Sequence, residues 1–185
     1  MPHNLRLPLA ALCAPAIASL EPAQRDALLE ELREMAHADG KVTPFELALL
    51  CILQRHAESA GTRQASGRQL HLGALLSEIE IVLSWMAHQD QVDPSAAFSR
   101  SMDALVGIPP LRLRADGARI GPDAEPAVAR LGRLAPTAKR SLLRALADVA
   151  AHDGKIAPGE GELLRALAAC WDCPMPPLWD EADSS

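Results

Sequence analysis

The chain has 185 residues, 49% hydrophobic and 23% charged, and its 24 acids outnumber its 18 bases to give a formal net charge of −6. An acidic chain offers no electrostatic footing to a polyanion, so no nucleic-acid partner is expected. With two Phe, three Trp and no Tyr, the apolar share is mostly Ala and Leu, a composition that favours helix over sheet.

Near the start, "LPLAALCAPAIASL" at 7–20 is too short to span a bilayer, is interrupted by Pro15 and lacks the flank of a secretory signal, so no membrane insertion is expected. Residues 22–38 put Leu28, Leu32, Met35 and Ala36 on one stripe, widened by Leu29, which predicts a helix with one buried face. Thr43 is spaced to cap the next helix, Pro44 fits its first position, and Glu46 can close a capping box on Thr43. Seven consecutive apolar residues, Leu47 to Leu53, predict that this helix is buried on nearly all sides. A polar, glycine-bearing connector is expected at 59–69. The third helix runs to about His88 and aligns Leu75, Ile79, Val82 and Trp85. A fourth long element is expected over 93–107, capped by Asp93 with Pro94 in its first turn. The Pro- and Gly-rich stretch 108–122 reads as an irregular connector whose "LRLR" could be extended, with no strand to pair with. Helices return over roughly 123–134, 137–152 and 158–172, before a tail of prolines and acids. The expectation is one all-α domain over 1–185, a bundle of about seven to nine helices.

An ungapped internal repeat relates 20–57 to 134–171: Leu28, Leu29, Leu32, Ala36, Asp39, Gly40, Lys41, Pro44 and Glu46 match Leu142, Leu143, Leu146, Ala150, Asp153, Gly154, Lys155, Pro158 and Glu160. Two copies of one helical hairpin, each needing its apolar face covered, are the physical reading. A degenerate third copy at 85–98 keeps Asp90 and loses the glycine.

The repeated stretches "AHADGKVTPFE" and "AHDGKIAPGE" resemble the second half of a calcium loop. If Asp39 and Glu46 were its fifth and twelfth positions, the first and third would be Met35 and His37, and in the second copy Val149 and Ala151. A hard cation needs oxygen there, so the letters are read as helix–turn–helix, with Gly40 and Gly154 taking positive φ at helix ends. Pooled across the repeat, Asp39, Glu46, Asp153 and Glu160 remain the candidate divalent-metal patch. His37, His88 and His152 are expected to hydrogen-bond their own turns.

"CWDC", Cys170 to Cys173, has a redox spacing but falls at the end of a helix, where the dipole opposes a thiolate, so packing is expected. Four scattered cysteines suggest a reducing cytoplasm rather than a disulfide scaffold. No nucleophile elbow, phosphate loop or HExxH motif is present, and the chain is expected to be noncatalytic with no resident cofactor.

The repeated D-G-K-[VI]-x-x-x-E unit between helices resembles the TerB-like domain of tellurite resistance, which implies a helical fold with acidic, metal-binding surfaces. More of the chain, "LPLAALCAPAIASLEPAQR", "ADGKVTPFELALLCILQRHAE" and "DGKIAPGEGELLRALAACWDCPMPPLWD", is similar to the C-terminal region of bacterial membrane-anchored zinc metallopeptidases of the CAAX-protease and heat-shock-protease type. That resemblance implies a cytoplasmic accessory domain of a parent in the inner membrane, with the catalytic zinc motif upstream. It implies as partner the rest of that peptidase or another protein; a homodimer stays open. Any family-like acid role falls on Asp39, Glu46, Asp153 and Glu160. The alternative is a stand-alone TerB-like divalent-metal or stress-response module.

Overall fold

Five of the described helices begin at a proline, the residue whose fixed φ and missing N–H cost nothing in a first helical turn. The computed structural model describes residues 12–13, 15–17, 19–38, 42–61, 69–89, 93–115 and 123–175, and for residues 45 and 55–61 the backbone alone. Residues 12–13 and 15–17 are helical (α1). There follow α2 (Pro22–His37), α3 (Pro44–Gly61), α4 (Leu76–Ala87), α5 (Pro94–Arg100), α6 (Ala124–Leu131), α7 (Pro136–Ala150) and α8 (Pro158–Cys170), with 3₁₀ turns at Leu72–Ala74 and Ser101–Asp103. The fold is all-α, as the composition predicts. No strand occurs among the described residues, only an isolated bridge in which Leu70 exchanges hydrogen bonds with the backbone of Arg133 and Ala135. No helix among them is long and apolar enough to cross a membrane.

The two repeat copies form hairpins, α2 on α3 and α7 on α8, joined through the most extensive helix contact among the described residues, α3 against α8. The apolar run of α3 explains why it sits there: of Leu47 to Leu53, all but Leu49 are buried. The pairing then extends asymmetrically. Helix α7 is also covered by α4 and α5, so Leu142, Leu143 and Leu146 are at most 1% exposed. Each contributes roughly 1.5–3 kcal/mol from burial. Their counterparts Leu28, Leu29 and Leu32 are only partly buried, and Met35 is 71% exposed.

Two expectations need correction. Helix α3 continues to Gly61, so the start of the 59–69 connector is helical; residues 62–68 lie outside the described part. The expected long element over 93–107 is a seven-residue helix and a 3₁₀ turn. Asp93 does cap it, its Oδ1 accepting from the amides of Ser95 and Ala96 at 3.1 and 2.9 Å. Its serines turn back on the backbone, Ser99 Oγ donating to Ser95 O and Ser101 Oγ to Phe98 O, and such bonds weaken a helix from within. The "LRLR" segment pairs with no strand. The amides of Arg112 and Arg114 donate instead to Glu80 Oε1 and Ser84 Oγ on successive turns of α4, both at 2.9 Å.

Candidate functional site

The repeated acids are drawn into their own turns. At the start of α3, Glu46 Oε2 accepts from the amide and the hydroxyl of Thr43, each at 2.8 Å, and the Glu46 amide donates back to Thr43 Oγ1 at 3.3 Å. This is the capping box the sequence predicts. In the second copy Ala157 replaces Thr43 and has no side-chain acceptor, so only half of the box survives: the Ala157 amide donates to Glu160 Oε2 at 2.7 Å. Glu160 is 3% exposed, which fixes that carboxylate against its helix start. Asp153 Oδ1 accepts from the Lys155 amide at 2.9 Å, and Gly154 has φ +85°, the left-handed conformation that the turn needs. Asp39, Gly40 and Asp90 lie outside the described residues. Among the described residues, no three His, Cys, Asp or Glu side chains gather as a metal-holding group.

"CWDC" is a helix terminus. Cys173 N donates to Ala168 O at 3.0 Å and Asp172 N to Ala169 O at 3.3 Å, the paired bonds of a Schellman motif, with Asp172 at φ 51° where glycine is commoner. Trp171 is 1% exposed and donates from Nε1 to Val128 O at 3.0 Å, tying the end of α8 to α6. Lys139 Nζ donates to Trp171 O at 2.9 Å, setting a cation against the negative end of α8. Contrary to the expectation that it bonds its own turn, the His88 ring reaches Arg114 O at 2.9 Å from Nε2, because the extended segment brings that carbonyl over α4.

Two features had no sequence signal. The first is a polar junction on Glu125, at the start of α6. Its carboxylate accepts from Arg33 Nε and Nη2 of α2, at 3.2 and 3.1 Å to Oε1, and from Gln54 Nε2 of α3 at 2.6 Å. His37 Nε2 stands 4.0 Å from its other oxygen. Hydrogen bonding to Glu125 is the main reason that the Arg33 guanidinium is held above its usual pKa. The second is a cleft of about 270 Å³ lined by Cys51 and Gln54 of α3, the end of α6, Lys139 of α7, and Cys170 to Asp172 at the end of α8. Gln54 belongs to both, so the junction and the cleft share a wall. No protein-family model matches the chain, and neither does any curated protein or solved structure.

Proposed function

We propose that this chain is a noncatalytic accessory domain that works by holding another protein, in the first instance the membrane-anchored zinc metallopeptidase whose C-terminal region its sequence resembles. The observation that carries this reading is the contrast between two helices of one pattern. In α7, Leu142, Ala145 and Val149 form an edge sealed to 1% exposure or less. The equivalent edge of α2 is Leu28, Glu31 and Met35, where Leu28 is partly buried and the other two are exposed. Exposed Glu34 borders it.

An apolar edge bordered by carboxylates fits one kind of occupant, a basic amphipathic helix of the partner. Its apolar side chains would meet Leu28 and Met35 while its Lys or Arg residues meet Glu31 and Glu34. A second copy of this chain fits less well, since pairing two α2 edges sets acid against acid. On this reading the domain sits on the cytoplasmic side of the membrane, and Asp39, Glu46, Asp153 and Glu160 shape turns.

The test is methionine-methyl NMR of the chain titrated with a basic Lys/Leu amphipathic peptide. The Met35 methyl is expected to shift saturably while that of Met86, fully buried in α4, stays put, and Met35→Glu should abolish the response. An unmoved Met35 methyl contradicts the docking edge. Zinc-dependent hydrolysis of a peptide panel by the purified chain, abolished by a chelator, contradicts the noncatalytic assignment.

A further inference from the structure

Residues 106–115 run as one segment without helix or strand, and their exposure follows a threefold pattern. Val106, Pro109, Arg112 and Ala115 are exposed, whereas Ile108, Leu111 and Arg114 are half-buried. Of the positions between, Gly107 and Pro110 are exposed and Leu113 is half-buried. Three residues per turn is the repeat of the polyproline II helix, and local chemistry favours that conformation here. Each proline fixes its own φ near the required value, and Ile108 and Pro109, each preceding a proline, are steered to the same region. Gly107, at φ +86°, turns the chain just before, so the regular stretch begins at Ile108. Its inner side is anchored: Ile108, Leu111 and Leu113 pack on the core, and the amides of Arg112 and Arg114 are held by Glu80 and Ser84 of α4.

We propose that Pro109, Pro110 and Arg112 form a docking ridge for a shallow groove on another protein, lined by aromatic side chains and bordered by a carboxylate. Aromatic walls fit because a polyproline II ridge presents rigid apolar rings. Having no internal hydrogen bonds, it also leaves carbonyls that indole N–H and phenol O–H groups can reach. The carboxylate follows from exposed Arg112, one turn or about 9 Å beyond Pro109 and on the same side, whose guanidinium two oxygens can grip. Existing order favours the contact too: the anchors on the core and α4 already hold the ridge, so docking freezes little chain. The ridge is built from different residues than the α2 edge and carries the opposite charge, so the two surfaces require partners of different chemistry.

The probe is an isotope-labelled SH3 domain selective for arginine-flanked proline ligands, followed by NMR as the unlabelled full chain is added. Saturable shifts confined to the probe's aromatic groove and its acidic border are expected. Arg112→Gln should weaken binding about tenfold or more, and Pro110→Ala should weaken it as well, with far-UV circular dichroism retained. Arg100→Gln, which makes the same charge change at the end of α5, should bind as the parent does. The proposal is overturned if the groove does not respond, if the shifts fall elsewhere on the probe, or if Arg112→Gln and Arg100→Gln bind equally well. Should Pro110→Ala alter the fold, Arg112→Gln decides, since that side chain is exposed and the backbone bond to Glu80 is kept.

Discussion

Replacing Gly154 separates the work of the repeated turn from that of a metal loop. A Cβ placed on Gly154 meets nothing within 4 Å, so a substitution there is penalised through its backbone torsion, at φ +85°, and not through crowding. A non-glycine residue in the left-handed region costs about 1–2 kcal/mol, and a β-branched one sits at or above the upper end. Asn tolerates this region better than other side chains. The expected order of cost is therefore Gly154→Asn, then Gly154→Ala, then Gly154→Val at about 2 kcal/mol or more. For a chain of this length each kcal/mol lowers the melting temperature by roughly 2–4 °C, so the valine variant should melt about 4–8 °C or more below the parent. Asp153→Asn keeps an oxygen for the Lys155 amide and should cost about 0.5 kcal/mol or less. Thermal melts with and without calcium or manganese read out the series. A parent melt that rises with the ion, together with loss of that rise in Asp153→Asn, would refute the turn-forming account, as would a valine variant as stable as the parent.

The Glu125 junction should behave as a coupled pair. Glu125→Gln and Arg33→Met are each expected to cost about 1–2 kcal/mol, between the values for surface and fully buried pairs, with a coupling of about 1 kcal/mol in the double variant. Additive costs in chemical denaturation would remove the pair from the account. Because Arg33 is held above its usual pKa by carboxylates, its contribution stays whole as the pH rises from neutral to that of a free guanidinium and is lost beyond it, on deprotonation in strong alkali. A melt that weakened through neutral pH in the parent, but not in Arg33→Met, would contradict that sign. Among the thiols, exposed Cys13 should be alkylated first, and Cys170 and Cys173 slowly, because they stand at a helix C-terminus and are buried and half-buried. Alkylation of Cys170 or Cys173 as fast as that of Cys13 would show otherwise.

Local chemistry was legible in the sequence wherever one short stretch determines the outcome. Thr43 and Glu46 lie three residues apart and form the capping box they predict, and the apolar run of α3 becomes the centre of the molecule. The shortened α5 was also within reach, since Ser99 near its end and Ser101 just beyond it carry hydroxyls that bond backbone carbonyls. The unequal fates of α2 and α7 were only partly legible. They carry the same leucine pattern, and Glu31 standing where α7 has Ala145 was a local sign; the rest comes from long-range coverage of α7 by α4 and α5. The cleft was hidden for the same reason. Cys51 and Cys170 occupy different positions in the two repeat copies, so no internal match points from one to the other. Nor does anything around Glu125 announce partners on α2 and α3.

The claim at the centre of this account is that the repeated carboxylates serve the backbone: Glu46 and Glu160 start helices and Asp153 closes a turn. Calorimetric titration of the folded chain with calcium and with manganese, ions that seek oxygen and ignore thiols, tests it most directly. The account predicts no saturable heat with either ion. Stoichiometric binding that disappears in Asp153→Asn or Glu46→Gln, with the fold intact, would contradict it.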